Sequence, residues 1–121
     1  YITDRAKNSE LVELPITTMF YPFGVPLIGT SVNTFPDFLL KTMLFFSKRR
    51  DFVNIEMHAI DLCDLSDSDK FKPIEKMQFD LKVPVEIKKK RISETIEYYL
   101  ANGFAFKTLN DVADLKLGGK F

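Results

Sequence analysis

The chain has 121 residues, of which 45% are hydrophobic and 28% are charged, and its 17 basic residues balance 17 acidic ones. This composition is typical of a globular domain and excludes an intrinsically disordered chain. Without a basic excess, no nucleic-acid partner is expected. The single cysteine, Cys63, excludes an internal disulfide framework and a cysteine-rich zinc site, and no apolar run is long enough for a transmembrane segment.

The first part of the sequence combines a strand-like segment with an aromatic, proline-rich loop. Glu10–Thr18 is rich in strand formers, but Pro15 removes a backbone donor, so this segment predicts an edge strand. The stretch MFYPFGVPLIGT, Met19–Thr30, is interrupted by prolines and glycines and predicts an apolar loop. Two interpretations of its aromatic residues stay open: they pack on the sheet, or they form an exposed surface for a ligand or a partner.

A helix with one apolar face is predicted next. Asn33 or Thr34 can serve as its N-cap, and Pro36 lies in the first turn, where a missing backbone N–H costs nothing. The cationic segment Ser47–Arg50 lies at the negative end of the helix dipole. Apolar residues at three- and four-residue steps predict the buried face: Phe35, Phe38, Leu39, Met43 and Phe46.

The stretch FVNIEMHAIDLCD, Phe52–Asp64, contains the single histidine of the chain. Phe52–His58 predicts a strand in which alternation places Asn54, Glu56 and His58 on one face. Buried polar groups need hydrogen-bonding partners, and carboxylates need them most. We therefore expect this face to line a polar cavity, with a purely structural histidine as the alternative.

The charged segments that follow predict solvated surface. The acidic stretch Asp64–Pro73 lacks the glycine and the closing glutamate of a calcium-binding loop, so it predicts a solvated loop. The run Lys88–Arg91 predicts the solvated face of a helix.

The last third of the sequence predicts a helix, a short strand and a second helix. The first helix is predicted over Pro84–Asn102, with a proline at its start and Gly103 at its C-terminal end. A strand with Phe104 and Phe106 on one side follows, and Asn110 is expected to cap a last helical turn. The apolar stripe of the long helix is Ile92, Ile96, Tyr99 and Leu100.

The order of these elements predicts the α/β class. Strands and helices alternate, which favours about three parallel strands with helices on both faces. The chain starts at Tyr1 with no signal-peptide pattern after it, so we expect a fragment of a larger domain. Because such a thin sheet would leave edges and an apolar face uncovered, we expect the isolated chain to self-associate or to swap elements with a neighbour.

Three motifs give the sequence a resemblance to a known family. ELPI (Glu13–Ile16), EMHAID (Glu56–Asp61) and ANGFAFKTL (Ala101–Leu109) carry it. Over roughly Glu10–Asp114 the order of elements resembles the C-terminal part of the polysaccharide deacetylases, the NodB-homology proteins of carbohydrate esterase family 4, in particular the branch with the deformylase of lipid-linked aminoarabinose. The resemblance implies that residues 1–121 form the C-terminal part of a distorted (β/α)7 barrel, with the site at the C-terminal ends of the strands.

The resemblance also implies roles for the residues around the histidine. His58 would be the general acid that protonates the leaving amine during hydrolysis of an amide on an amino sugar or polysaccharide. An imidazole suits this task because it titrates near neutral pH. Glu56 and Asp61 would orient His58 or bind the substrate. The acyl group, a lipid carrier on the sugar and the compartment, whether bacterial cytoplasm, inner-membrane surface or cell envelope, are left open.

The sequence departs from the family pattern in one respect. Family members bind a divalent, zinc-type metal with an aspartate and a His-x-x-x-His pair, and an Asp-Asp pair supplies the base; this sequence has neither pattern. A hydrolytic zinc site needs three protein ligands and an open position for water. We therefore expect metal and base in a missing N-terminal half, and no activity in this chain alone. Two alternatives stay open: a non-catalytic module that binds a glycan or a protein through Met19–Ile28, and an unrelated small α/β domain.

Overall fold

The computed structural model describes residues 12–20 and 24–119. Three 3-10 helices lie between the second and third α-helices, over Ala59–Leu62, Asp69–Ile74 and Phe79–Lys82. Among the helices of residues 12–20 and 24–119, none has both the length and the apolar content needed to cross a membrane. The strands and α-helices are, in chain order, β1 (Thr18–Met19), β2 (Val25–Pro26), α1 (Gly29–Thr34), α2 (Asp37–Ser47), α3 (Val85–Ala101) and α4 (Leu109–Leu117).

The strands at the beginning of the chain differ from the prediction. β1 and β2 form an antiparallel hairpin in which Met19 lies opposite Val25. Part of the predicted apolar loop is therefore a strand. Of the described part of the predicted edge strand Glu10–Thr18, only Thr18 lies in a strand. Residues 10 and 11 of that prediction and residues 21–23 of the loop lie outside the described residues.

The two later segments predicted as strands, Phe52–His58 and the segment with Phe104 and Phe106, form no ladder. Phe52–His58 contributes one parallel bridge, between Glu56 and Ile28, and its Asn54 carbonyl accepts the Thr17 backbone N–H at 2.9 Å. The described residues thus contain one two-stranded antiparallel sheet in place of three parallel strands. The mixed α/β class is confirmed, and residues 12–20 and 24–119 show no barrel.

The core lies between the hairpin, α1, α2 and α3. On α2 the buried residues follow the i, i+3, i+4, i+7 rule of an amphipathic helix, but the buried face is rotated relative to the predicted one. Phe38 and Phe46, predicted as core residues, are 73% and 46% exposed. Burial of Leu40 and Leu44 turns these two rings outward. The core side chains are Met19, Leu27, Val32, Leu40, Met43, Leu44 and Tyr99.

Helix α3 matches its predicted bounds. It covers Val85–Ala101, and Gly103 adopts a left-handed φ of 85°, as expected for a glycine that ends a helix. Within the predicted stripe, Tyr99 is buried, and this burial raises the pKa of its hydroxyl. Ile96 and Leu100 are exposed.

The basic run on α3 is not the solvated face that the sequence predicts. Lys88 is fully buried, and its Nζ donates to Asp80 Oδ2 at 2.8 Å and to the carbonyl of Cys63 at 2.7 Å. The Arg91 side chain is only 19% exposed. Residues three apart share a helix face, so Lys88 and Arg91 point inward while the two lysines between them face solvent.

Two aspartates fix the starts of α3 and α4. Asp64 Oδ2 accepts the first backbone N–H of α3 at 2.8 Å. The N-cap of α4 is Thr108 rather than the predicted Asn110, and its hydroxyl donates to Asp111 Oδ2 at 2.7 Å. Hydrogen bonds lower the pKa of both carboxyls: the largest cause is the Ser66 hydroxyl for Asp64 and the Thr108 hydroxyl for Asp111.

Because these two carboxylates cap helices, we expect the free energy of unfolding to fall in acid. Because both pKa values lie below the ordinary 3.8, the carboxylates stabilise the fold fully above about pH 4 and progressively less as the pH falls through their lowered values. We expect the variant Asp64→Asn with Asp111→Asn to lose less stability than the natural chain between pH 7 and pH 3 in urea unfolding. Asp69→Asn, at an exposed position, is the control, and an equal pH dependence in all three chains would contradict the prediction.

Candidate functional site

The structure brings the three predicted site residues together. His58 Nε2 lies 3.6 Å from Glu56 Oε1, and His58 Nδ1 lies 3.9 Å from Asp61 Oδ2. The imidazole is 68% exposed and the Glu56 side chain 45%, whereas the Asp61 side chain is only 3% exposed. An accessible imidazole thus lies between one carboxylate on the surface and one beneath it.

A short turn places Asp61 below the histidine. His58 precedes the 3-10 helix Ala59–Leu62, and its backbone N–H donates to Asp61 Oδ2 at 2.7 Å. The Asp61 N–H in turn donates to the His58 carbonyl at 3.0 Å. Such reciprocal bonds fix a helix start, so the position of the carboxylate relative to the imidazole is set by the backbone.

Helix α1 forms the wall behind Asp61. Asn33 Nδ2 donates to the Asp61 carbonyl at 2.9 Å, and the Thr30 hydroxyl lies 3.5 Å from Asp61 Oδ1. Gly29 lies so close to the carboxylate that a Cβ there would overlap with it. The Gly29 N–H also donates to the Glu56 carbonyl at 2.9 Å, which joins the start of α1 to the segment that carries the histidine.

Arg91 holds the other end of α1. Its Nη1 donates to the carbonyls of Val32, Asn33 and Phe35, at 3.2, 3.0 and 2.8 Å. The last carbonyls of a helix have no partner within the helix, so the guanidinium satisfies groups that would otherwise be unpaired. Its Nη2 donates to Asp37 Oδ1 at 2.6 Å. Arg91 thereby links α1, which contains Asn33, to α3.

The face of Asn54, Glu56 and His58, predicted to line a polar cavity, is partly open to solvent. Asn54 uses its amide to donate to the Leu14 carbonyl at 3.1 Å, and the other two side chains are exposed. The groove of about 590 Å³ in this region contains neither Glu56 nor His58 in its lining. It lies between residues 51–55 and residues 99–115, and its lining is largely apolar, with Phe52, Tyr99 and Phe104 among it.

The aromatic loop is part of the core as far as it is described. Met19 and Leu27 are buried, and Phe20 and Val25 pack against the core. This arrangement favours the packing interpretation over a ligand surface for these residues. Tyr21–Phe23, on which the ligand surface would also depend, lies outside the described residues.

The site lacks the donor set of a metal centre within the described residues. No group of three histidine, cysteine, aspartate or glutamate side chains there is placed to hold a metal ion. The arrangement around His58 does suit proton transfer, because the exposed imidazole can reach a substrate and lies beside two carboxylates.

The sequence predicted that Glu56, His58 and Asp61 lie close together, but it did not predict the residues that position them. Gly29 and Thr30 fell in a segment predicted as loop, and Asn33 was expected at a helix start, whereas all three lie on α1. The available signal was the short polar run Thr30–Ser31 next to a glycine, in an otherwise apolar stretch. Its contact with Asp61 depends on the tertiary fold.

Comparison of the chain with protein-family models, with curated proteins and with solved structures found no match.

Proposed function

We propose that this chain carries the general acid of a metal-dependent N-deacetylase or deformylase that acts on an amino sugar or polysaccharide, and that it forms the C-terminal part of a NodB-like barrel. The observation that carries the proposal is the exposed His58 imidazole held between Glu56 and the buried Asp61. The motif resemblance of Glu56–Asp61 and the parallel bridge between Ile28 and Glu56 also support it.

In this proposal His58 gives a proton to the amine nitrogen as the C–N bond breaks, so that the amine leaves as a neutral group. Asp61 cannot rotate into solvent, because it is buried and bonded to the His58 N–H. Its carboxyl group, with Oδ2 3.9 Å from His58 Nδ1, orients the imidazole. Glu56, on the exposed side of the ring, is placed to accept a hydrogen bond from a sugar hydroxyl.

In this proposal, residues that are not in this chain bind the metal and supply the catalytic base. The described residues do not form a three-ligand group, and the sequence has neither an Asp-Asp pair nor a second histidine. We therefore assign no metal step to these side chains. The 121-residue chain alone is expected to release neither acetate nor formate from an N-acylated amino sugar.

The test uses the product of the complete gene. With a divalent metal, we expect release of acetate or formate from an N-acylated amino sugar, measured by coupled assay, and a fall in kcat of about 10²–10⁴-fold in His58→Gln. Asp69→Asn, at an exposed aspartate distant in sequence from His58, is the matched control and should retain full activity.

Retention of kcat within about threefold in His58→Gln, beside an active natural enzyme, would contradict the role of His58. A complete gene product without an Asp-Asp pair and a His-x-x-x-His pair, and without activity, would favour the non-catalytic glycan-binding module. Glycan binding measured by calorimetry would then distinguish that module from an unrelated α/β domain.

A further inference from the structure

The outer side of α2 presents aromatic rings to solvent. Phe38 is 73% exposed, and Phe45 and Phe46 are 44% and 46% exposed. Soluble proteins seldom leave several large apolar side chains together on one helix, and such faces mark contact surfaces. We call the surface made by Phe38, Lys41, Phe45, Phe46, Lys48 and Arg49 the aromatic–cationic patch.

The patch is positively charged although the chain as a whole is neutral. The patch contains three basic residues, Lys41, Lys48 and Arg49, and no acidic residue lies between Phe38 and Arg50. The nearest acidic residue before this stretch, Asp37, already pairs with Arg91 at 2.6 Å. Asp51 follows it directly and is exposed. The balance of charge in this stretch is therefore cationic.

The cations and the rings are in contact. Arg49 Cζ lies 4.8 Å from the centre of the Phe45 ring and 5.6 Å from that of Phe46. Lys48 Nζ lies 5.3 Å from the Phe45 ring. Lys48 and Arg49 thus lie beside the rings at the end of α2, and Lys48 Nζ also donates to Asn102 Oδ1 at 3.0 Å. Cations beside exposed rings can stay among headgroups while the rings enter an apolar layer.

We propose that the aromatic–cationic patch binds the surface of an anionic lipid bilayer. Charge complementarity selects this occupant, because anionic headgroups attract Lys and Arg and no acidic residue lies between Phe38 and Arg50. Each cation near such a surface strengthens binding about fivefold. With a short helix and three rings, the contact is reversible and depends on the anionic lipid content. The proposal is independent of the function proposed for His58.

The test exploits the absence of tryptophan from the chain. Phe38→Trp places a fluorescent reporter on the patch, and Phe79→Trp places one at another exposed phenylalanine, 54% exposed. We expect vesicles of phosphatidylcholine with 30% phosphatidylglycerol to shift the emission of the 121-residue Phe38→Trp chain to the blue. We expect no shift with pure phosphatidylcholine vesicles, none in 0.5 M salt, and none for Phe79→Trp.

Charge variants distinguish binding through the patch from attraction that depends only on the net charge of the chain. Lys41→Glu with Arg49→Glu should weaken co-sedimentation with the anionic vesicles at least about 25-fold. Lys89→Glu with Lys90→Glu makes the same charge change on the solvent side of α3 and should leave binding within about threefold. Circular dichroism checks that both variants fold. No blue shift for Phe38→Trp, or equal weakening in the two variants, would overturn the proposal. So would a dimer in sedimentation velocity that the patch variant dissociates, because the patch would then bind a second copy of the chain.

Discussion

Replacing Lys88 with methionine is expected to lower the free energy of unfolding by about 3–5 kcal/mol. Lys88 and Asp80 are both fully buried, and their side chains meet at 2.8 Å. Removal of the ammonium group leaves the Asp80 carboxylate without a counter-charge in the interior. Asp80 Oδ1 already has no hydrogen-bonding partner, and the carbonyl of Cys63 would lose the donor that it has in Lys88.

A double-mutant cycle measures this coupling. Asp80→Leu alone should be as costly as Lys88→Met, whereas the two together should recover most of the loss, since an apolar pair of similar volume can replace a buried ion pair at little cost. Urea unfolding followed by circular dichroism gives the four free energies. Lys89→Met, at the exposed neighbour, is the control and should change stability by less than about 0.5 kcal/mol. Equal losses at positions 88 and 89, or an additive cycle, would contradict the prediction.

The ion pair also matters for the candidate site. Through Asp80 it links the 3-10 helix Phe79–Lys82 to α3. Lys88 also donates to the carbonyl of Cys63, the residue directly after the turn that contains Asp61. Both ends of the segment between Cys63 and Asp80 are therefore bonded to Lys88 on α3. We expect Lys88→Met to make the turn that contains Asp61 less ordered, in addition to lowering the free energy of unfolding.

Local signals were sufficient for α3 and for the position of His58. The bounds of α3 depend on Pro84 and Gly103, whose backbone preferences act within their own neighbourhood. His58, Glu56 and Asp61 lie within six residues of each other, so their proximity follows from the chain itself. For such features a sequence contains most of the physical information that is needed.

Features that depend on distant partners could not be predicted. Lys88 resembles its solvated neighbours in sequence, and its burial depends on Asp80 in another element. The segment Phe52–His58 has strand-forming residues, but its Asn54 and Glu56 carbonyls accept from two different segments, at Thr17 and Gly29, and these bonds do not continue into a ladder. On α2, two overlapping apolar stripes fit the sequence, and contact with Leu27 and Tyr99 selects the one with Leu40 and Leu44.

Gly29→Ala is expected to disturb the site directly and to lower the free energy of unfolding by about 2–3 kcal/mol. A Cβ at this position would overlap with the Asp61 carboxylate. That carboxylate is buried and accepts the His58 N–H, so it cannot move into solvent without losing the bond that fixes the turn. Either α1 or the turn must shift, and the imidazole moves with the turn.

The chain has one histidine, so its imidazole protons give a single set of proton resonances that report on the site. We expect Gly29→Ala to shift these resonances and to lower the unfolding midpoint in urea, while Gly118→Ala, at a residue with a helical φ of −75°, should change neither. In an Asp61→Ala background the overlap is removed, so the further cost of Gly29→Ala should fall below about 0.5 kcal/mol. If the cost of Gly29→Ala is the same in both backgrounds, the contact between Gly29 and Asp61 does not position His58, and α1 serves the core alone.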